Sequence, residues 1–209
     1  MPIAHRFNFQ DDTQVLIWEI EESMEALQKD LPLSVADRQQ WTLRKHLLHK
    51  KGLLASRKLL LSAGISPQNL YHDPDGIPHL ESGPQLSISH SKTVAGIALG
   101  RPTLGFDLEF YHPKIEAIAP RFMHPKEAFA AMGDLRREQL TLLWTAKEAL
   151  YKAAKQKGLI FSEQLCVDAF RWGEKNGSAK VLLPEKTLDF YLIFILEKSY
   201  CATLAILND

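Results

Sequence analysis

The chain has 209 residues with 25 Lys+Arg against 25 Asp+Glu, and 45% of it is hydrophobic. That suffices for one or two packed domains and excludes a disordered or fibrous chain. A formal net charge of zero excludes a general polyanion binder, which rests on many Lys and Arg contacts to phosphates, so no nucleic acid partner is expected. A small phosphorylated ligand in a local basic pocket stays compatible. No stretch approaches the roughly 20 apolar residues of a membrane span, so no membrane partner is expected. The start, MPIAHRFNFQDD, lacks an apolar leader core. With Cys166 and Cys201 too far apart for a metal-like or redox-like motif, the expectation is a cytoplasmic protein with reduced thiols.

In chain order, Gln14–Ile20 reads as a short strand, and Asp37–Ala63 as one long helix stopped by Gly64. His72–Pro84 is crowded with turn residues and reads as loop or tight hairpin. Three β-like runs follow at Gln85–His90, Val94–Leu99 and Leu104–Phe110. Helical patterns return at Pro125–Met132 and Arg136–Lys157. Strands close the chain at Leu165–Trp172, Ala179–Leu183, Phe190–Glu197 and Cys201–Leu207. Strands meeting strands through short turns predict an α+β fold with antiparallel sheets. The order of elements suggests two similar α/β lobes meeting near Arg101–Leu104.

Between Asp37 and Asp73 there is no acidic residue, while Arg38, Arg44, Lys45, Lys50, Lys51, Arg57 and Lys58 all fall there, with His46 and His49 among them. This reads either as a solvated helix face or as a basic wall for a phosphate-bearing ligand or an acidic partner. Trp18, Trp41 and Trp172 fit core positions, and the two cysteines fit small buried strand residues.

Three motifs carry chemistry. In Gly105-Phe106-Asp107-Leu108-Glu109, residues two apart share a strand face, which sets Asp107 and Glu109 side by side at roughly 6–7 Å between Cα atoms. Close carboxylates repel unless a cation or a proton offsets them, and hard divalent ions such as Mg²⁺ favour that oxygen set together with substrate phosphates. On a solvated sheet face the same pair would be unremarkable. In Trp144-Thr145-Ala146-Lys147-Glu148-Ala149-Leu150-Tyr151-Lys152, Glu148 and Lys152 stand one helical turn apart, either as a surface ion pair or at the edge of a pocket. Leu86-Ser87-Ile88-Ser89-His90-Ser91 ends a strand in hydroxyls and an imidazole suited to phosphate. No G-x-S-x-G elbow is present, which disfavours a serine hydrolase. Glu127 reads as a fourth acid near the site or as a first-turn acid favoured by the helix dipole.

Taken in this order and spacing, S-I-S-H-S, G-F-D-L-E and W-T-A-K-E-A-L-Y-K resemble the 4′-phosphopantetheinyl transferase superfamily, in its two-lobed form of roughly 200 residues that activates carrier domains. Arg57, Gly76–Leu80, and Phe122 with Glu127 fall where that family has similar segments. The resemblance implies two lobes related by a pseudo-two-fold with the site in the cleft between them, and a monomer. Residues 1–101 would form the lobe that contacts coenzyme A, and residues 102–209 the lobe with the metal-binding carboxylates and catalytic helix. It implies Mg²⁺-dependent transfer of 4′-phosphopantetheine from coenzyme A to a serine of an apo carrier protein, releasing adenosine 3′,5′-bisphosphate. By the same implication Asp107, Glu109 and Glu148 hold Mg²⁺, and Glu148 is the general base. Lys152 pairs with a phosphate. Ser89, His90 and Arg57 contact coenzyme A, and the Gly76–Pro78 turn faces its adenine. Two departures from the family pattern stand out: Ile77 replaces the lysine of a Gly-Lys-Pro turn, and the Ala154–Leu159 turn is thin in glycine. Other readings of the same carboxylates are a Mg²⁺-dependent phosphohydrolase or a catalytically silent module that binds coenzyme A or a carrier.

Overall fold

Runs of aliphatic and β-branched residues, punctuated by acidic and turn-forming clusters, produce eleven strands and six α-helices among residues 5–9 and 12–208, the part of the chain that this computed structural model describes. Residues 1–4, on which the leader reading partly rests, lie outside the described residues, as do 10, 11 and 209. The chain divides into two compact units, Met1–Arg101 and Pro102–Asp209.

The first unit contains β1 (His5–Asn8), β2 (Gln14–Glu19), α1 (Met24–Gln28), α2 (Val35–Leu43) and α3 (Leu47–Ser62). It continues with a small hairpin of β3 (Leu70–His72) and β4 (Pro78–Leu80), then β5 (Gln85–Ser91) and β6 (Val94–Gly100). Its main sheet runs β1-β2-β6-β5, antiparallel throughout. Leu53, Leu54, Leu59 and Leu60 of α3 cover it, packing with Leu16, Trp18, Ile97 and Leu99 in one core.

The expected single helix over Asp37–Ala63 is in fact two. Neither glycine nor proline marks the break. Arg44 and His46 are extended there, and each helix starts afresh, α2 capped by the Ser34 hydroxyl on the Asp37 amide at 3.0 Å. The turn-rich segment is the β3–β4 hairpin. In it Asp73 Oδ1 accepts from the Asp75 and Ile77 amides at 2.9 Å each, and Gly76 takes the left-handed φ of 82° that the turn demands.

The second unit holds β7 (Leu104–Phe110), α4 (Lys114–Ile118), 3₁₀ turns at Ala119–Arg121 and Pro125–Ala131, α5 (Arg136–Ala154) and α6 (Phe161–Gln164). Strands β8 (Leu165–Val167), β9 (Asn176–Leu182), β10 (Thr187–Leu196) and β11 (Tyr200–Leu207) complete it. Its five-stranded sheet runs β7-β11-β10-β9-β8, again antiparallel. Leu142, Ala146, Ala149 and Leu150 of α5 share a core with Phe190, Leu192, Cys201 and Ala205. The predicted α+β architecture with antiparallel sheets is therefore the observed one.

Local readings differ in instructive ways. The strand expected through Trp172 stops at Val167, after which the Asp168 carboxylate accepts from the Ser178 hydroxyl at 2.6 Å and Phe170 turns into the core. Helix α5 ends at Ala154 because Lys155 adopts a left-handed φ of 50°. Trp18 is buried, but Trp41 and Trp172 are only half-buried. Cys201 is buried whereas Cys166 is half-buried. Among the described residues, no helix is long and apolar enough to cross a membrane.

Candidate active site

Strand β7 and helix α5 bring the acidic motifs together. Gly105 of β7 sits so close to α5 that a Cβ there would run into the carbonyl of Ala149 and the amide of Ala153. This glycine lets strand and helix touch backbone to backbone. One step along the same face, Asp107 pairs in register with Thr203 of β11, whose hydroxyl lies 2.8 Å from that of Thr145 on α5. Gly105, Asp107 and, by alternation, Glu109 therefore all face α5, as the D-x-E spacing requires. Phe106 and Leu108 are fully buried.

On α5, Lys152 reaches across to β7. Its ammonium donates to Asp107 Oδ1 at 2.7 Å and to the Phe106 carbonyl at 3.0 Å. Asp107 is buried while Lys152 keeps 29% of its side chain exposed, so a solute can still reach the lysine. One turn earlier, the Glu148 carboxyl is pushed up to about 7 from its ordinary 4.5. Burial is the main cause, and the charge of Asp107 adds to it; Lys152 opposes the shift and Glu109 reinforces it. Asp107, Glu109, Glu148 and Lys152 thus form one electrostatic unit within the second unit of the chain.

Among the described residues no three His, Cys, Asp or Glu side chains converge as a ready-made metal cage. The donor chemistry nevertheless fits a hard divalent cation. Burial, with the charges of Asp107 and Glu109 added to it, raises the Glu148 carboxyl toward neutrality, and a doubly charged ion would offset both the lost hydration and the repulsion.

Beside this group lies an ion pair that the motif reading did not single out. Lys147, buried, donates to Glu127 Oε2 at 2.7 Å and to the Phe161 carbonyl at 2.8 Å. Glu127 also accepts from the His124 amide at 2.7 Å and the Val167 amide at 2.9 Å. Its role is the helix-start acid, in a capping box with His124, extended into a buried clamp that ties the Pro125 turn, α5 and β8 together. The sequence signal was available: a lysine at a core-facing position of an apolar helix needs a buried acid.

The first unit presents its predicted ligand residues on different surfaces. His90 of β5 packs against Gly52 of α3, where a Cβ would meet its ring. Its Nε2 lies 3.4 Å from an Arg44 nitrogen, and the His49 ring is 5.9 Å away. Ser89, buried, projects to the opposite face of the strand. Arg57 is consumed internally: both Nε and Nη2 donate to Asp37 Oδ1, at 2.9 and 2.5 Å, with the two side chains 4% and 3% exposed. Gly76 and Pro78 lie in the β3–β4 hairpin, where His79 stacks on Tyr71 and meets Asp73 at 3.0 Å. Much of the basic run is tied down too. Lys51 donates to the Glu22 carbonyl, Lys58 to that of Lys29, and Lys50 rests 4.5 Å over the Trp41 ring. Arg44 and His49 join His90 from within that run, a juxtaposition that one-dimensional spacing does not reveal.

Residues 103–205 match the family model of the 4′-phosphopantetheinyl transferase superfamily. The second unit belongs to this superfamily. The match contains the whole β7–α5 carboxylate group and the Lys147–Glu127 clamp, and membership supports phosphopantetheinyl transfer as the general chemistry. A comparison with curated proteins finds no match.

Proposed function

We propose that this protein transfers 4′-phosphopantetheine from coenzyme A to a serine hydroxyl of an apo carrier domain, with Mg²⁺ bound by Asp107, Glu109 and Glu148. The observation that carries this reading is the β7–α5 group, in which a buried aspartate bonds a reachable lysine beside a glutamate held near neutrality. In the reaction the serine oxygen attacks the pantetheine-side phosphorus of the pyrophosphate. The bond from that phosphorus to the bridging oxygen breaks, and adenosine 3′,5′-bisphosphate leaves. When bound, Mg²⁺ supplies neutralisation of the pyrophosphate oxygens. Glu148 takes the serine proton, directly or through one water. Lys152 fixes Asp107 and, with 29% of its side chain exposed, brings its positive charge to a phosphate oxygen.

We assign His90, supported by Arg44 and His49, and Ser89 to coenzyme A phosphates. The Gly76–Pro78 turn is assigned to the adenine. Its shape rests on Asp73 and on the left-handed Gly76, so Ile77 in place of a lysine leaves the turn intact. Arg57 acts by position: paired with Asp37, it fixes α2 to α3 without touching the ligand.

Incubation with coenzyme A, Mg²⁺ and an apo carrier protein tests the proposal by mass spectrometry of the carrier. A gain equal to one phosphopantetheine is expected. Nucleotide release with an unmodified carrier would replace the reading with a phosphohydrolase, and binding without turnover with a silent module.

A further inference from the structure

Among the described residues, Gly52 of α3 is the only glycine inside any of the six α-helices. A glycine in a helix interior costs stability relative to alanine, so the position needs a physical reason. Conformational freedom is not that reason, because Gly52 is absent from the glycines that take a left-handed φ. Space is. A Cβ at Gly52 would lie 2.7 Å from Cγ, 2.9 Å from Nδ1 and 3.1 Å from Cβ of His90, and these are its three nearest neighbours. Turning the ring about its own bond moves neither Cβ nor Cγ, and β5 holds their backbone in register with Ala95 of β6. An added methyl group would therefore swing the whole imidazole about its Cα–Cβ bond or push α3 off the strand.

The ring is held elsewhere too. Its Nε2 lies 3.4 Å from Arg44 Nη1, carried by the extended link that follows α2. His49, one turn before Gly52 on α3, sets its ring centroid 5.9 Å from that of His90, and His46 stands 5.3 Å beyond His49. Groups able to carry positive charge thus meet the imidazole from the helix and from the link before it, which suits an anion. We propose that Gly52 is a positioning residue for coenzyme A: the notch it leaves in α3 seats the His90 imidazole beside Arg44 and His49 in the orientation that meets a phosphate. This conclusion rests on the transferase reading above. A glycine that only let α3 lie close to β5 would behave differently once the ring is removed. Its replacement would still push the helix away, whereas the loss of a seat has no consequence when nothing sits in it.

The test is a double-mutant cycle on the full-length protein: wild type, Gly52→Ala, His90→Ala and the two combined. Calorimetry gives Kd for coenzyme A, and steady-state transfer gives kcat and both KM values. Gly52→Ala, with an unchanged far-ultraviolet spectrum, should raise Kd and KM for coenzyme A about fivefold or more, while kcat and KM for the carrier stay within about twofold. In the His90→Ala background the same substitution should change Kd by less than about twofold. Unchanged affinity in Gly52→Ala, or equal losses in both backgrounds, overturns the seat. Carbon-13 relaxation of the His90 ring in ligand-free wild type decides the matter even where Gly52→Ala does not fold: a ring as rigid as the backbone is expected, and a freely reorienting one overturns the proposal. A wild type that binds coenzyme A without modifying the carrier overturns the transferase reading alone, since the binding cycle still judges the seat. A wild type that does not bind coenzyme A overturns both.

Discussion

The two units are variations on one arrangement with different contents. In each, an early strand pairs with the last strand of the unit, which pairs with the one before it: β2-β6-β5 in the first and β7-β11-β10 in the second. In each, a long helix packs on that sheet, α3 on β5 and β6, α5 on β7 and β11. What differs is the strand. The middle of β2 is Val15, Leu16, Ile17 and Trp18, all buried and apolar, whereas β7 carries Asp107 and Glu109 in the corresponding place. The helices differ in step. Arg57 of α3 is sealed against Asp37, while Lys152 of α5 meets Asp107 with more than a quarter of its side chain accessible. One topology thus carries either a packed scaffold or a cluster of acids, according to whether β2 or its counterpart, the edge strand β7, spends its positions on core or on carboxylates.

The largest effect should come from erasing that difference. Asp107→Asn or Glu148→Gln in the second unit should lower kcat by about 10³-fold or more, with circular dichroism unchanged and Mg²⁺ binding weakened in calorimetry. His90→Ala in the first unit should instead raise KM for coenzyme A by roughly tenfold and leave kcat within a few-fold. Full activity in Asp107→Asn would remove β7 from the chemistry, and full activity in Glu148→Gln would remove α5's general base. Equal losses of kcat in all three would erase the division of labour between units.

Buried ion pairs sharpen the contrast. Lys147→Met strands Glu127, and Arg57→Met strands Asp37, each leaving an uncompensated buried carboxylate; chemical denaturation should show a loss of about 3–5 kcal/mol in both. The double variant Lys147→Met/Glu127→Leu should recover most of it, since removing both partners removes the stranded charge. Lys152→Met should cost less stability than Lys147→Met or Arg57→Met, because 29% of that lysine is exposed although Asp107 is buried, yet lower activity at least tenfold. A large stability loss there would make Lys152 a structural residue like Lys147.

How far the sequence could be read follows from the kind of signal each feature emits. Strands and turns announce themselves locally, so β5, β6, β7, β10, β11 and the β3–β4 hairpin lie close to their expected places. The gap between α2 and α3 has no local marker: neither glycine nor proline stands there, and the pair that ties the two helices, Asp37–Arg57, joins residues 20 apart. For the site, the spacing of Asp107, Glu109, Glu148 and Lys152 was legible because strand and helix periods convert directly into shared faces. The bond from Lys152 to Asp107 was not, since i+4 spacing points only to Glu148 while Asp107 lies 45 residues away in the chain. The clamp between Lys147 and Glu127 was hidden for the same reason, as was the grouping of Arg44, His49 and His90.

The last contrast is in pH, where the two units should tilt in opposite directions. Glu148 has its folded pKa raised from 4.5 to about 7, so the folded state binds more protons than the unfolded one between those values. The associated stability is fully present below about 4.5 and is lost as pH rises through about 7. Discounted for partial solvation, it is on the order of 1–3 kcal/mol. His72 in the first unit is shifted the other way. Burial first, and then the charge of Arg57, hold its pKa below the ordinary 6.5, against the opposing pull of Asp37 and Asp73. Its contribution is therefore full above pH 6.5 and is lost as pH falls through its lowered value. Denaturation of metal-free protein from pH 4.5 to 8 should show Glu148→Gln gaining on wild type as pH rises and His72→Phe gaining as pH falls. Because each variant is compared with wild type at the same pH, titrations common to both cancel. If both difference curves slope the same way, one of the two environments is wrong; a flat curve for Glu148→Gln would mean that Glu148 is neither shielded from water nor repelled by Asp107 and Glu109, and the cation site assigned to them would lose its electrostatic basis.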